Sequence, residues 1–382
     1  MRKKKVRVKK KPIYIILTIV LLFILFTLFK GTNLYAEYKI SKDLKKLNYS
    51  NKAITVIKEK DMTDYILENE IYSKTLDAAL ASNSFNKDCM NIYTSIKYDD
   101  SAVENINSLY SLGYKEDEII NIFKHLDKDE INVITKKEYI ENLYEYILFE
   151  DFDINNLDRY ITYKNKNNTS YERTISIVNI GADKEQYSEI KEVKEPDNLL
   201  VLVNKYNKLP ANYVPKNLSK ITTNCSDGTK ELRKDANDAF SKLCADSKSM
   251  GLDLLVTSAY RDYQYQVNLY NYYIGIYGLA DTDTRSARPG HSEHQTGLAV
   301  DLKTSKAVWD DFEKTNEYTW LKNNAHLYGF IIRYPKGKED ITKYKFEPWH
   351  IRYVGVETAT KIHELDITYD EYYAKYIEKQ EK

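Results

Sequence analysis

Sulfur, proline, glycine and histidine are all scarce in this chain of 382 residues. Only Cys89, Cys225 and Cys244 occur, with no C-x-x-C pair, which argues against a thiolate zinc site. Cys225 and Cys244 could form one disulfide or stay apart. Proline is absent from residues 13–195 and glycine is sparse there, so Tyr38 to Tyr187 reads as helical. Net charge is lacking too, because Lys plus Arg and Asp plus Glu both total 57. That balance hides an asymmetry. Eight basic residues and no acid fall in residues 1–12, which leaves 49 basic against 57 acidic residues in the rest. A body of net charge −8 does not suit a polyanion, so no nucleic-acid partner is expected. The 35 tyrosines, with abundant Lys, Asn and Ile, reflect the bias of an AT-rich genome more than chemistry.

One long apolar run is present. Ile13 to Phe29 is seventeen residues, almost all apolar. As a helix it is roughly 25 Å long, at the short end of what spans a bilayer. The basic block before it predicts a cytoplasmic N-terminus, with the rest outside the cell. A cleaved signal peptide needs a small-x-small site, and Leu34-Tyr35-Ala36 is a poor one, so an uncleaved anchor is favoured. The expected organisation is a basic cytoplasmic tail (1–12), a transmembrane signal anchor (13–29), a helical extracellular region (38–187), a linker (188–198), a catalytic domain (199–365) and a charged C-terminal tail (366–382).

Within the helical region an aromatic is followed five and eight residues later by large side chains. Tyr49 leads to Ile54 and Ile57, Phe85 to Met90 and Tyr93, Tyr114 to Ile119 and Ile122, and Phe152 to Leu157 and Tyr160. A second helix, such as Met62 to Leu80 or Lys136 to Leu148, would close each unit. The pattern fits a stack of helical hairpins, or equally an ordinary bundle whose core positions recur. Beyond the linker, Leu199 to Val203 reads as a strand. Lys230 to Met250 reads as a helix ended by Gly251, Leu252 to Ser258 as a strand and Gln264 to Tyr277 as a helix. Glu313 to Leu327 reads as a third helix leading into a strand at Phe330 to Ile332, and Pro348 to Val354 as the last strand. Helices segregated against a mostly antiparallel sheet make an α+β domain.

The chemistry concentrates in two stretches. His291 to Asp301 contains S-x-H-x-x-G-x-A-x-D (Ser292, His294, Gly297, Ala299, Asp301), and Glu347-Pro348-Trp349-His350 supplies E-x-x-H. Two histidines and an aspartate make a three-ligand set that leaves a fourth position for water, with Glu347 free to act as base. His291 and His294 would face opposite ways in an extended segment. Gly297 and Ala299 leave room for a bend bringing Asp301 beside His294, and Pro348 favours a turn between Glu347 and His350. His125 and His363 read as surface residues and His326 as a helix-end residue.

These motifs, with Ser258-Ala259-Tyr260-Arg261 and Gln266, resemble those of the VanY-type D-alanyl-D-alanine carboxypeptidases. That family belongs to the LAS group of zinc metallopeptidases, with D-Ala-D-Ala dipeptidases and hedgehog-like folds. The resemblance covers roughly Leu199 to Ile362. It implies one zinc ion held by His294, Asp301 and His350, Glu347 as catalytic base for the attacking water, and Arg261 facing the scissile carbonyl. It further implies Ser292 on the substrate carboxylate, and Gln266, Ser258 and Tyr260 as substrate-binding residues. Ala259 stands where the family's S-G-Y-R version has glycine, a small change that should leave Arg261 in place. The expected reaction is removal of terminal D-alanine from peptidoglycan stem peptides by a membrane-anchored hydrolase. Two alternatives stay open: an L,D-carboxypeptidase acting on tetrapeptide stems, and a non-catalytic wall-binding or scaffold protein.

Overall fold

The chain, a computed structural model describing residues 11–226 and 228–378, folds as two compact units, residues 1–148 and 149–382. Residues 1–10 of the expected basic tail lie outside the described residues.

The first unit opens with a helix over Lys11–Lys46, whose Ile15–Lys46 portion is long and apolar enough to cross a membrane. Its apolar side chains from Ile15 to Phe29 are exposed, Phe23 at 66% and Phe29 at 65%, while Leu44 near its end is buried. Eight short helices follow, from Asn51–Glu59 to Leu143–Ile147, and most pack on the helices one and two places along the chain. The aromatic-led positions form their interior, with Tyr49, Ile54, Ile57, Tyr93, Tyr114, Ile119 and Ile122 all buried.

Two helices expected here are shorter or broken. Met62 to Leu80 divides into Thr63–Glu68 and Lys74–Ala81 around Glu70, whose φ is 49°. The Tyr49 hydroxyl donates to the Ile71 carbonyl, and Ser73 caps the next helix at the Leu76 amide. Lys136 to Leu148 is helical only over Leu143–Ile147, because the Ile140 amide is held by the Tyr114 hydroxyl (3.1 Å).

In the second unit the central sheet is wholly antiparallel. Its strands are β1 (Leu255–Ser258), β2 (Ala299–Lys303), β3 (Phe330–Tyr334) and β4 (Glu347–Tyr353), in spatial order β1-β2-β4-β3. Alternation along the strands gives the sheet two unlike faces. Val256, Val300, Leu302 and Ile351 join Phe240 and Leu243 of the Lys234–Ser249 helix in one apolar core. Asp301, His350 and Arg352 point the other way, buried but polar.

Several expected bounds shift. Residues 149–187 pack in the C-terminal unit, ahead of the expected linker. Leu199 to Val203 forms no strand, because the Arg352 guanidinium donates to the carbonyls of Leu199 and Val201 (both 3.1 Å). Glu231–Arg233 is a short strand against Leu218–Lys220, so the expected helix starts at Lys234. The next helix runs over Tyr263–Arg285 through a break at Gly278. Glu313 to Leu327 is a helix only over Asn316–Asn324, flanked by 3-10 turns. The C-terminal tail carries a helix over Tyr369–Tyr376, with Tyr369 and Asp370 buried. Cys225 and Cys244 are disulfide-bonded.

Candidate active site

Register brings the first two groups together. Asp301 on β2 pairs directly with His350 on β4, so their side chains share a face, and His350 Nδ1 lies 3.0 Å from Asp301 Oδ1. His294 arrives from the 3-10 turn Glu293–Thr296, which ends at Gly297 with φ of 68°. A β-carbon at Gly297 would sit 3.1 Å from Leu218 Cδ2 and 3.2 Å from the Arg233 amide, so glycine is required for both its φ and its close approach. This turn aims His294 Nε2 at Asp301 Oδ2, 3.1 Å away. Glu347 reaches the same side through an irregularity in the β3–β4 register, without the turn expected at Pro348. Its Oε2 lies 3.8 Å from His350 Nδ1.

His294, Asp301 and His350 are buried, and their donor atoms lie within 4.8 Å of one another. His294 Nδ1 sits 2.7 Å from the Ala259 carbonyl, which fixes the ring proton there. Nε2 is then a lone pair facing a carboxylate oxygen, two acceptors with no proton between them. Burial, with the charge of Arg261, lowers the His294 pKa to about 4, so ionisation of the ring does not relieve this pairing. A cation between the two does. Two imidazoles and one carboxylate suit zinc.

The other groups are tuned apart. Burial tends to raise Asp301, but the two imidazoles outweigh it and hold the carboxyl well below the usual carboxylate range. Burial opposes charge on His350, yet Asp301 and Glu293 raise its pKa to about 9. Glu347 is pushed up to about 8 by burial, aided by the charge of Asp301 and opposed by His350. A carboxyl poised near neutrality can take and return a proton.

A cleft of about 400 Å³ opens onto these residues, and Arg261 and Ser292 line it. Gln266, Ser258 and Tyr260 are not among its lining residues. The Gln266 amide donates to the Ala287 carbonyl (2.7 Å) and so braces the cleft wall from behind. Ser258 is paired to Asp301 within the sheet, and the Tyr260 amide is tied to the Glu231 carbonyl. Sequence reasoning missed the aromatic walls, Tyr273, Tyr277, Trp309, Phe346 and Trp349, and the basic pair Arg285 and Lys345. Two of these aromatics flank motif residues already singled out, at Phe346 and Trp349. His291 is buried outside the metal set, with Nδ1 2.7 Å from the Asn204 carbonyl and its ring edge-on to Tyr187. His326 and His363 stack on each other, centroids 3.9 Å apart.

Residues 229–356 match the model of the VanY D-alanyl-D-alanine carboxypeptidase family. The chain is 40% identical over 193 residues to YodJ of Bacillus subtilis (strain 168), spanning 49% of this chain and 71% of that protein. It is 34% identical over 183 residues to the bifunctional D-Ala-D-Ala dipeptidase and D-Ala-D-Ala carboxypeptidase VanXYC of Enterococcus gallinarum, spanning 46% of this chain and 94% of VanXYC. Among solved structures, the LD-carboxypeptidase LdcB is similar at 39% identity and TM-score 0.47, over 50% of this chain and 92% of that one.

Proposed function

From the membership of this chain in the VanY D-alanyl-D-alanine carboxypeptidase family, whose members are zinc metallopeptidases, we propose that it removes terminal D-alanine from the pentapeptide stems of peptidoglycan, with His294, Asp301 and His350 holding the zinc. The observation that carries the metal assignment is His294 Nε2 facing Asp301 Oδ2 across 3.1 Å while Nδ1 is engaged by the Ala259 carbonyl.

Zinc in this site supplies a Lewis acid that acidifies water and polarises the peptide carbonyl. The chain's own residues do the rest. Glu347, buried and poised near neutrality, takes the proton of the attacking water and returns it to the leaving amine. Arg261, held at the cleft wall by its backbone N–H donating to the His294 carbonyl (3.3 Å), faces the developing oxyanion. Ser292 lines the cleft two residues before His294, where its hydroxyl reads the terminal carboxylate. The Ile15–Lys46 helix anchors the chain in the cell membrane with the N-terminus cytoplasmic and the catalytic unit outside, where stem peptides lie.

The test incubates the full chain in detergent micelles with synthetic pentapeptide and tetrapeptide stems and follows released D-alanine by mass spectrometry. Release from pentapeptide, abolished by chelator and cut at least about 100-fold in Glu347→Gln, is the expected result. Release from tetrapeptide alone assigns L,D-specificity to the same site. No release from either by zinc-loaded protein refutes the carboxypeptidase reading.

A further inference from the structure

Glu293 lies inside the motif but takes no part in the chemistry above. Its side chain is wholly buried. Oε1 accepts from Arg333 Nε (2.7 Å) and lies 3.2 Å from Arg352 Nη1. Arg333 also donates to Asp370 Oδ2 (2.6 Å), so two buried guanidiniums balance two buried carboxylates. Oε2 has no such partner; it stands 3.5 Å from His350 Nε2, which has none either.

Imidazole chemistry decides what that facing pair is for. His350 turns Nδ1 toward Asp301 and Glu347, so a cation in the site is met by the Nδ1 lone pair. The ring proton must then sit on Nε2. A buried N–H without an acceptor is costly, and metal-ligating histidines usually donate that N–H in a hydrogen bond to a carboxylate, a carbonyl or water. We propose that Glu293 is the positioning residue for His350. Its Oε2 accepts a hydrogen bond from the Nε2–H when metal is bound and fixes the ring, while Arg333 and Arg352 hold the carboxylate still. This rests on His350 being a ligand. The competing explanation is that Glu293 only neutralises two buried arginines, which leaves Oε2 idle.

The experiment measures zinc affinity of the full chain in detergent micelles by chelator competition, for wild type, Glu293→Gln and Asp370→Asn. Both variants unbalance the same buried charges and should lower the melting temperature. Only Glu293→Gln should weaken zinc binding, by about 10–100-fold, with Asp370→Asn staying within about threefold of wild type. Equal zinc affinity in Glu293→Gln and wild type overturns the proposal, as does an equal loss in both variants. Failure of the wild type itself to bind zinc refutes instead the ligand assignment beneath it. Should Glu293→Gln not fold, histidine ¹⁵N spectra of the zinc-loaded wild type decide. A downfield, exchange-protected proton on His350 Nε2 supports the proposal; a freely exchanging one overturns it.

Discussion

Removing the Cys225–Cys244 link should destabilise the catalytic unit by a calculable amount. The bond closes a loop with a sequence separation of 19. Loop-closure entropy for that length is about 11 cal/mol/K, or about 3 kcal/mol at 25 °C. In a unit of this size that corresponds to a fall of about 6–12 °C in melting temperature. The link also bears on the site. The Cys225 carbonyl accepts from the Val256 amide (2.6 Å), and Cys244 lies in the Lys234–Ser249 helix. The cross-link therefore pins the edge strand β1, which runs directly on to Arg261, against that helix. Differential scanning calorimetry of wild type beside the double variant Cys225→Ala, Cys244→Ala checks the magnitude. Thiol titration in denaturant checks the premise: one free thiol, Cys89, is expected. Three free thiols, or a melting shift below about 2 °C, would refute the argument. A persistent disulfide also fits an oxidising compartment.

Zinc binding should release protons, because His350 at about 9 and Glu347 at about 8 both hold one at pH 7 in the free site. Calorimetry in two buffers of different ionisation enthalpy should show one to two protons leaving, and affinity should fall with falling pH; a pH-independent affinity between pH 6 and 8 contradicts this. Gly297→Ala should cost about 2–4 kcal/mol, from the left-handed φ plus contacts near 3.1 Å, and should weaken zinc binding by displacing His294. Unchanged unfolding and unchanged zinc affinity would contradict that. His291 is depressed from 6.5 to about 4, chiefly by burial, so the unfolded chain binds the proton first as pH falls. Stability should drop by roughly 3 kcal/mol between about pH 6.5 and about 4, fully present above that window. Urea titrations at stepped pH should show this acid limb flattened in His291→Gln; an unaltered slope removes His291 as its cause.

What could be read from the chain alone was whatever is carried by local spacing. The meeting of His294, Asp301 and His350 was legible because they fall in two compact motifs, S-x-H-x-x-G-x-A-x-D and E-x-x-H, and because Gly297 leaves room for a bend next to His294. The strand Ala299–Lys303, inside the histidine–aspartate motif, was not singled out, whereas the strands around Val256 and Ile351 were visible as apolar runs. Leu199 to Val203 has the same look, yet it is extended chain whose carbonyls feed a buried arginine about 150 residues away. No local pattern announces such a partner. The same limit hid Glu293, Arg333 and Asp370, which look like surface charges until the fold buries them together. Gln266 shows the converse: a motif position expected to bind substrate in the cleft, whose side chain instead donates to the Ala287 carbonyl and does not line the cleft.

On the reading proposed above, the polar face of the sheet would let the site exchange protons for a metal ion. In the free site, Asp301 is ionised, His350 and Glu347 are protonated, and His294 is neutral, so the four groups sum to zero. A dication that displaces the two protons from His350 and Glu347 leaves the same sum. The buried region therefore trades two protons for one cation without changing its net charge, which avoids the penalty of adding charge to a low-dielectric interior. If Glu347 is the base proposed above, the trade also converts it from a carboxylic acid into the carboxylate that role needs. Burial alone would leave Glu347 protonated. In that reading the combination of burial and metal, set by the Asp301–His350 register and the turn at Gly297, would make the base appear only when the metal is in place.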